Sequence, residues 1–227
     1  AGYAGVTSVT PVARDMDAYP TILSGDIGAA GDNTDNSYHV VVGSGTDNTA
    51  VLDGFTITAG NANDPNLNDV GADSGGGLFN SSGSPSVRDC TFNANSANSG
   101  GAVYNFSSSP TISDCNFTGN SAFGIYGAGA AVYNYYSSSL TISDCNFSYN
   151  AAASSGGAIE NRSNSSASIN NCTFTANSAV SVGSYGYGGA IDSPNASATI
   201  INCTFAANST SGRYGYGGAI YNGTSIS

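Results

Sequence analysis

Short runs of alternating apolar and polar residues recur along the chain, and from residue 75 onward they recur in register. The first run is Gly-Gly-Ala-aliphatic-x-Asn, written GGGLFN (75–80), GGAVYN (100–105), GAAVYN (129–134), GGAIEN (156–161), GGAIDS (188–193) and GGAIYN (217–222). A second ends on an aliphatic at Val87, Ile112, Ile142, Ile169 and Ile200. The third is Cys-x-Phe-x-x-Asn, beginning at Cys90, Cys115, Cys145, Cys172 and Cys203. These cysteines lie 25, 30, 27 and 31 residues apart, yet the spacing inside the motif never changes. A fixed core with connections of variable length is what a stacked solenoid requires, because wall positions must register with the coil below and loops need not.

Each run is bounded by Ser, Asn, Gly or Pro, the residues that make turns. Strand alternation puts Leu78, Val103, Val132, Ile159, Ile191 and Ile220 inside and their neighbours Phe79, Tyr104, Tyr133, Glu160, Asp192 and Tyr221 outside. Cys and Phe, two apart, share the inner face. The pattern predicts an all-β chain: a right-handed, single-stranded parallel β-helix of about seven coils with three short strands per coil. Two core ladders follow, Cys90, Cys115, Cys145, Cys172, Cys203 and Phe92, Phe117, Phe147, Phe174, Phe205. Asn95, Asn120, Asn150, Asn177 and Asn208 are expected to form a turn ladder of stacked amides. Residues 1–74 read as diverged N-terminal coils with long loops at 28–37 and 63–74, and 75–227 as regular repeats of the same solenoid. At ~4.8 Å per coil the stack is on the order of 35 Å tall.

Composition narrows the partners. Charged residues make up 8% of the 227, with no Lys, four Arg, one Glu (Glu160), one His (His39) and a net charge of −11. Phosphate binding needs clustered cations, so nucleic acid is not expected as a partner, nor is an anionic membrane surface. No stretch approaches the ~18 apolar residues of a membrane span. The Lys-poor, Ser/Asn/Thr/Gly-rich composition suits an extracellular or cell-surface protein whose export signal is not in this chain.

The paired GGA-aliphatic-x-Asn and Cys-x-Phe-x-x-Asn motifs resemble those of secreted bacterial right-handed parallel β-helix repeat proteins. They are also similar to the repeats of polymorphic outer-membrane autotransporter passengers. The lead-in TILSGDI…NSYHVVVGSGTDNTAVLDGFTITAGNAN (21–63) resembles the first family especially. The resemblance covers nearly the whole chain and implies the fold; it brings no shared catalytic motif. Neither end carries an amphipathic cap. That leaves two readings: a fragment of a longer surface protein, or a subunit whose incomplete last coil meets the first coil of the next copy, head to tail.

Candidate chemistry is sparse. Five cysteines cannot all pair internally. Facing an apolar interior without CxxC or His spacing, they read as free core thiols, with inter-coil disulfides and metal binding as alternatives. Asp89, Asp114 and Asp144, followed in the same column by Asn171 and Asn202, read as a turn ladder. Stacked aspartates also meet the ~5–9 Å spacing of a paired-carboxylate glycosidase, which makes these three the catalytic alternative. Asp32 and Asp35, and the Asp64–Asp69–Asp73 loop, are weak Ca²⁺ candidates, although neither follows a known calcium-loop order. His39 reads as a packed or surface histidine. Of the four arginines, only Arg88 adjoins a ladder aspartate. Sequons at Asn80, Asn105, Asn164, Asn195 and Asn222 matter only in a glycosylating host.

Tyrosines give the best binding hint. Tyr104, Tyr133 and Tyr221 are expected to stack outside the first strand, with Tyr126, Tyr185, Tyr187, Tyr214 and Tyr216 recurring just before it. Such a surface suits sugars or another subunit. The expectation is an extracellular structural or adhesive element with no enzymatic activity, self-associating head to tail, with glycans as a further candidate partner. A polysaccharide lyase or glycoside hydrolase is the alternative.

Overall fold

The computed structural model describes residues 1–3, 14–64, 71–124, 126–181 and 185–223. Every pairing between named strands is parallel, and each strand pairs with its counterpart one coil away. The chain therefore winds as a parallel β-helix. Its walls hold seven, six, seven and six strands among the described residues.

One coil shows how sequence makes a turn. Leu78–Ser81 forms the first wall, Ser86–Arg88 the second, Thr91–Asn93 the third and Ser96–Ala97 the fourth. Three strands per coil is thus corrected to four. The fourth is a step of two or three residues, Ser-Ala or Ala-Ala in its middle coils, too short and too weak in β-propensity to stand out from a turn. Its alanines Ala97, Ala122, Ala152 and Ala179 are nevertheless buried.

Corners are made by left-handed residues. Asp89, Asp114, Asp144, Asn171 and Asn202, between the second and third walls, all have φ between 52° and 55°. Asp and Asn visit this region more readily than other L-residues, which is why this column tolerates either. The Gly-Gly pair before the first wall does two jobs. Gly100 turns the chain at φ 62°, while a Cβ on Gly101 would lie 2.3 Å from the Ser121 carbonyl of the coil above.

Inside, like residues lie over like residues. Phe92, Phe117, Phe147, Phe174 and Phe205 stack with centroids 4.7–4.9 Å apart and planes within 5°. Each fully buried ring contributes about 1.5–3 kcal/mol by leaving water, and stacking adds about 1 kcal/mol per pair. The Asn ladder bridges coils: Asn120 Nδ2 donates to Phe92 O below (3.0 Å) and to Asn150 Oδ1 above (3.0 Å). The cysteines are free thiols, and the Cys90 amide donates to Cys115 Sγ at 3.4 Å.

The diverged segments join the same stack. Thr21–Ser24 lies against Phe55–Thr58 in the third wall, and Val41–Val42 against Leu78–Phe79 in the first. Among the described residues no helix is long and apolar enough to cross a membrane.

Candidate functional site

The first-wall exterior is not the open surface that alternation suggested. His39 stacks on Phe79 at 4.9 Å, Phe79 on Tyr104 at 5.7 Å, and Tyr104 on Tyr133 at 5.6 Å. His39 is pinned by a ring-nitrogen contact of 3.0 Å to Gly75 O, and burial lowers its pKa. The column is roofed by the segments that precede each first-wall strand. Bridges Ser74–Ser99–Ala128–Ser155–Tyr187 join these segments into a thin ladder of their own, and Gly71 lies so close to Phe79 that a Cβ would strike its ring. Tyr133 is only 9% exposed. Burial pushes the Tyr104 and Tyr133 hydroxyls up. Tyr104 and Tyr133 are therefore corrected from binding surface to packed stack, and Tyr221 is only partly exposed. Glu160 and Asp192, expected outside, are 0% and 2% exposed.

The open tyrosines lie beside this roof. Tyr185–Tyr187 pairs with Tyr214–Tyr216 as a separate two-stranded ribbon. Tyr185 stacks on Tyr214 at 5.2 Å and Tyr187 on Tyr216 at 5.6 Å. Tyr185, Tyr214 and Tyr216 are nearly half exposed, and Tyr126 stands alone at 82%. Within each pair one face of each ring is covered by the other, and the Arg213 guanidinium lies 5.6 Å from the Tyr214 ring centroid.

A second site lies on the corner between the second and third walls. Asp53 sits in register under Arg88, and Arg88 Nε donates to Asp53 Oδ2 at 3.0 Å. Arg14 donates to the other Asp53 oxygen and reaches Asp89 Oδ2 at 3.3 Å. Although desolvation pushes the Asp53 carboxyl upward, the hydrogen bonds from Arg88 and Arg14 outweigh it and hold its pKa below the ordinary value. Beside this cluster runs an open cleft of about 300 Å³, lined by Asp17, Thr56, Asp89, Thr91, Asp114 and Asn116. Arg88 is thus not the only arginine beside a ladder aspartate: Arg14 converges with it. Arg14 lies 39 residues from Asp53 and 75 from Asp89, and no motif marks it.

The catalytic alternative is only partly assembled. Asp89 and Asp114 share the cleft, whereas Asp144 lies outside that lining and accepts from Asn171 within the corner column. Asp32 accepts from the Thr34 amide and hydroxyl at 2.9 and 2.7 Å, and Asp35 from the Ala29 amide at 2.7 Å. These carboxylates shape their own loop. Among the described residues no three His, Cys, Asp or Glu side chains converge to hold a metal. Asp69 lies outside the described residues. Of the sequon asparagines, Asn80 and Asn105 are fully buried and closed to glycosylation.

The family model for the right-handed beta helix region matches residues 33–205. No curated protein and no solved structure matches the chain.

Proposed function

The chain belongs to the right-handed beta helix family, and we propose that it serves as an extracellular structural or adhesive rod whose copies stack end to end. One observation carries this reading: the repeated polar side chains are spent on axial bonding. Each amide from Asn95 to Asn177 donates to the coil on either side, and Asn208 donates to the coil below. The column of Asp and Asn makes corners. An array whose coils all present the same upper and lower edges is complementary to itself along its axis, and a heterologous contact of that kind does not close. The Tyr185–Tyr216 ribbon supplies the lateral contact surface, with Tyr185, Tyr214 and Tyr216 nearly half exposed. The Lys-poor, Ser/Asn/Thr/Gly-rich composition supports an extracellular location.

Negative-stain electron microscopy and sedimentation of the full chain over a concentration series test this. Filaments with one axial repeat are expected. A monodisperse monomer at high concentration overturns end-to-end stacking.

A second reading is favoured by the cleft. Asp89 and Asp114 at its wall, with Arg14 beside them, give a carboxylate pair next to a cation, a set able to act on or bind a polysaccharide. The D89N/D114N variant, screened against a polysaccharide panel, discriminates. Cleavage by the wild type that is lost in a folded variant replaces the architectural reading with the enzymatic one.

A further inference from the structure

The outer column of the first wall is aromatic except at two adjacent places. It runs Phe79, Tyr104, Tyr133, Glu160, Asp192, Tyr221, with Glu160 directly in register with Asp192. Both carboxyl groups are roofed, Glu160 at 0% exposure and Asp192 at 2%. Apart from the Ser155 hydroxyl of the roof, no N–H or hydroxyl donor among the described residues meets either Glu160 oxygen or Asp192 Oδ1. Strand neighbours lie only ~4.8 Å apart. Two ionised carboxylates there would repel in a desolvated place, and an unpaired buried charge is among the costliest groups a fold can hold.

The geometry points to a single shared proton. We propose that Glu160 and Asp192 form a carboxyl–carboxylate pair that latches the roof segments 154–156 and 185–188 over the first wall, and that losing its proton loosens that roof.

A proton placed between the two groups turns one orphan acceptor into a donor for the other. It also balances charge. The pair with one proton carries −1, and Arg162, whose Nη1 lies 3.9 Å from Glu160 Oε1, supplies +1. A divalent cation in the same place would leave +1. The other groups facing the pair are the uncharged Tyr133 below, Tyr221 above, and Ser155 and Tyr187 from the roof. Tyr187 connects the pair to the outside: it packs against Tyr221 at 4.8 Å and stacks on Tyr216 in the exposed ribbon. Burial acts in the same direction on both acids. It raises Glu160 well above the ordinary carboxylate value and, despite the hydrogen bond with Glu160, Asp192 to about 6.

The sign follows. Unfolded carboxyls titrate near pH ~4, so between there and the raised folded values the native state holds the extra proton. Below about 6 the pair takes up a second proton and above it one remains; because opening releases what the pair holds, the roof is tightest below about pH 4 and opens more readily with each pH unit above it.

Hydrogen exchange read by mass spectrometry on the full chain at pH 5 and pH 8, corrected for intrinsic exchange, tests this. Peptides over 153–160 and 185–193 are expected to open at least about tenfold more often at pH 8, one pKa unit being a factor of ten. Peptides over 110–122 should not change. In E160Q the amide donates to Asp192 at either pH, so the difference should vanish; D192N serves the same purpose should E160Q not fold. Equal opening of the wild type at both pH values overturns the proposal, as does an undiminished pH response in a folded variant. Protection restored at pH 8 by added Ca²⁺ would also overturn it, assigning the pair to a metal.

Discussion

Asn120 and Asn150 occupy the same corner in successive coils, and the amide of one donates to the other at 3.0 Å. Asn120 Oδ1 meanwhile accepts from both the backbone and the side-chain amide of Asn95, at 3.1 and 3.2 Å. One buried side chain thus satisfies donors and acceptors in three coils at once. Replacing it with Ala strands the Asn95 backbone N–H and the Phe92 carbonyl away from water, while Asn150 Oδ1 keeps the Asn120 backbone N–H. A buried polar group left unpaired costs about 1–3 kcal/mol, so N120A should destabilise by at least about 2 kcal/mol in urea unfolding. N120D should fare little better, since it restores the acceptor but not the donor. A loss under about 1 kcal/mol would show the ladder to be ornamental.

The phenylalanine file makes a graded prediction. Phe147 is sealed between Phe117 and Phe174, whereas Phe205 is only partly buried. F147A should cost about 3–5 kcal/mol through lost transfer and a cavity the rigid coils cannot collapse. F205A should cost less than half of that. Equal losses at the two positions would mean the coils do not share one continuous core.

These columns were legible in the sequence because each holds one residue type at a fixed offset, and the offset is set by the wall. The roof was not legible. Burial of Tyr133, Glu160 and Asp192 depends on loops of different lengths folding back over the first wall, and alternation reports only which side of a strand a residue takes. The fourth wall was hidden by its brevity and its Ser-Ala composition. The corner cluster was hidden by distance along the chain, since Arg14 meets Asp89 only when the N-terminal segment lies along the corner of two later coils.

The cysteine file predicts a reactivity order. Cys90, Cys115, Cys145 and Cys172 are each 1% exposed, and Cys203 is more open. A thiol reagent in native buffer should modify Cys203 first and the other four only on unfolding, giving five thiols in denaturant. A count of three or one in denaturant would reveal inter-coil disulfides. Identical rates for all five would contradict their burial.

Acid stability separates the two buried or paired acid sites. Asp53 is held below the ordinary carboxylate value: desolvation opposes this, but its hydrogen bonds with Arg88 and Arg14 dominate. A depressed folded pKa contributes stability above the unfolded value near ~4 and loses it as pH falls through the folded value. D53N should therefore lower the unfolding midpoint at pH 6 and leave it nearly unchanged at pH 2, flattening the acid limb. Glu160 works in the opposite sense, its raised value making stability fall as pH climbs. E160Q should flatten the limb between pH 5 and 8 and leave the acid limb intact. The pairs do not touch, so the double variant should show both effects additively within about 0.5 kcal/mol. Urea midpoints at pH 2, 4, 6 and 8 for the four proteins decide it. Should D53N and E160Q change the same limb, one of the two electrostatic assignments is wrong.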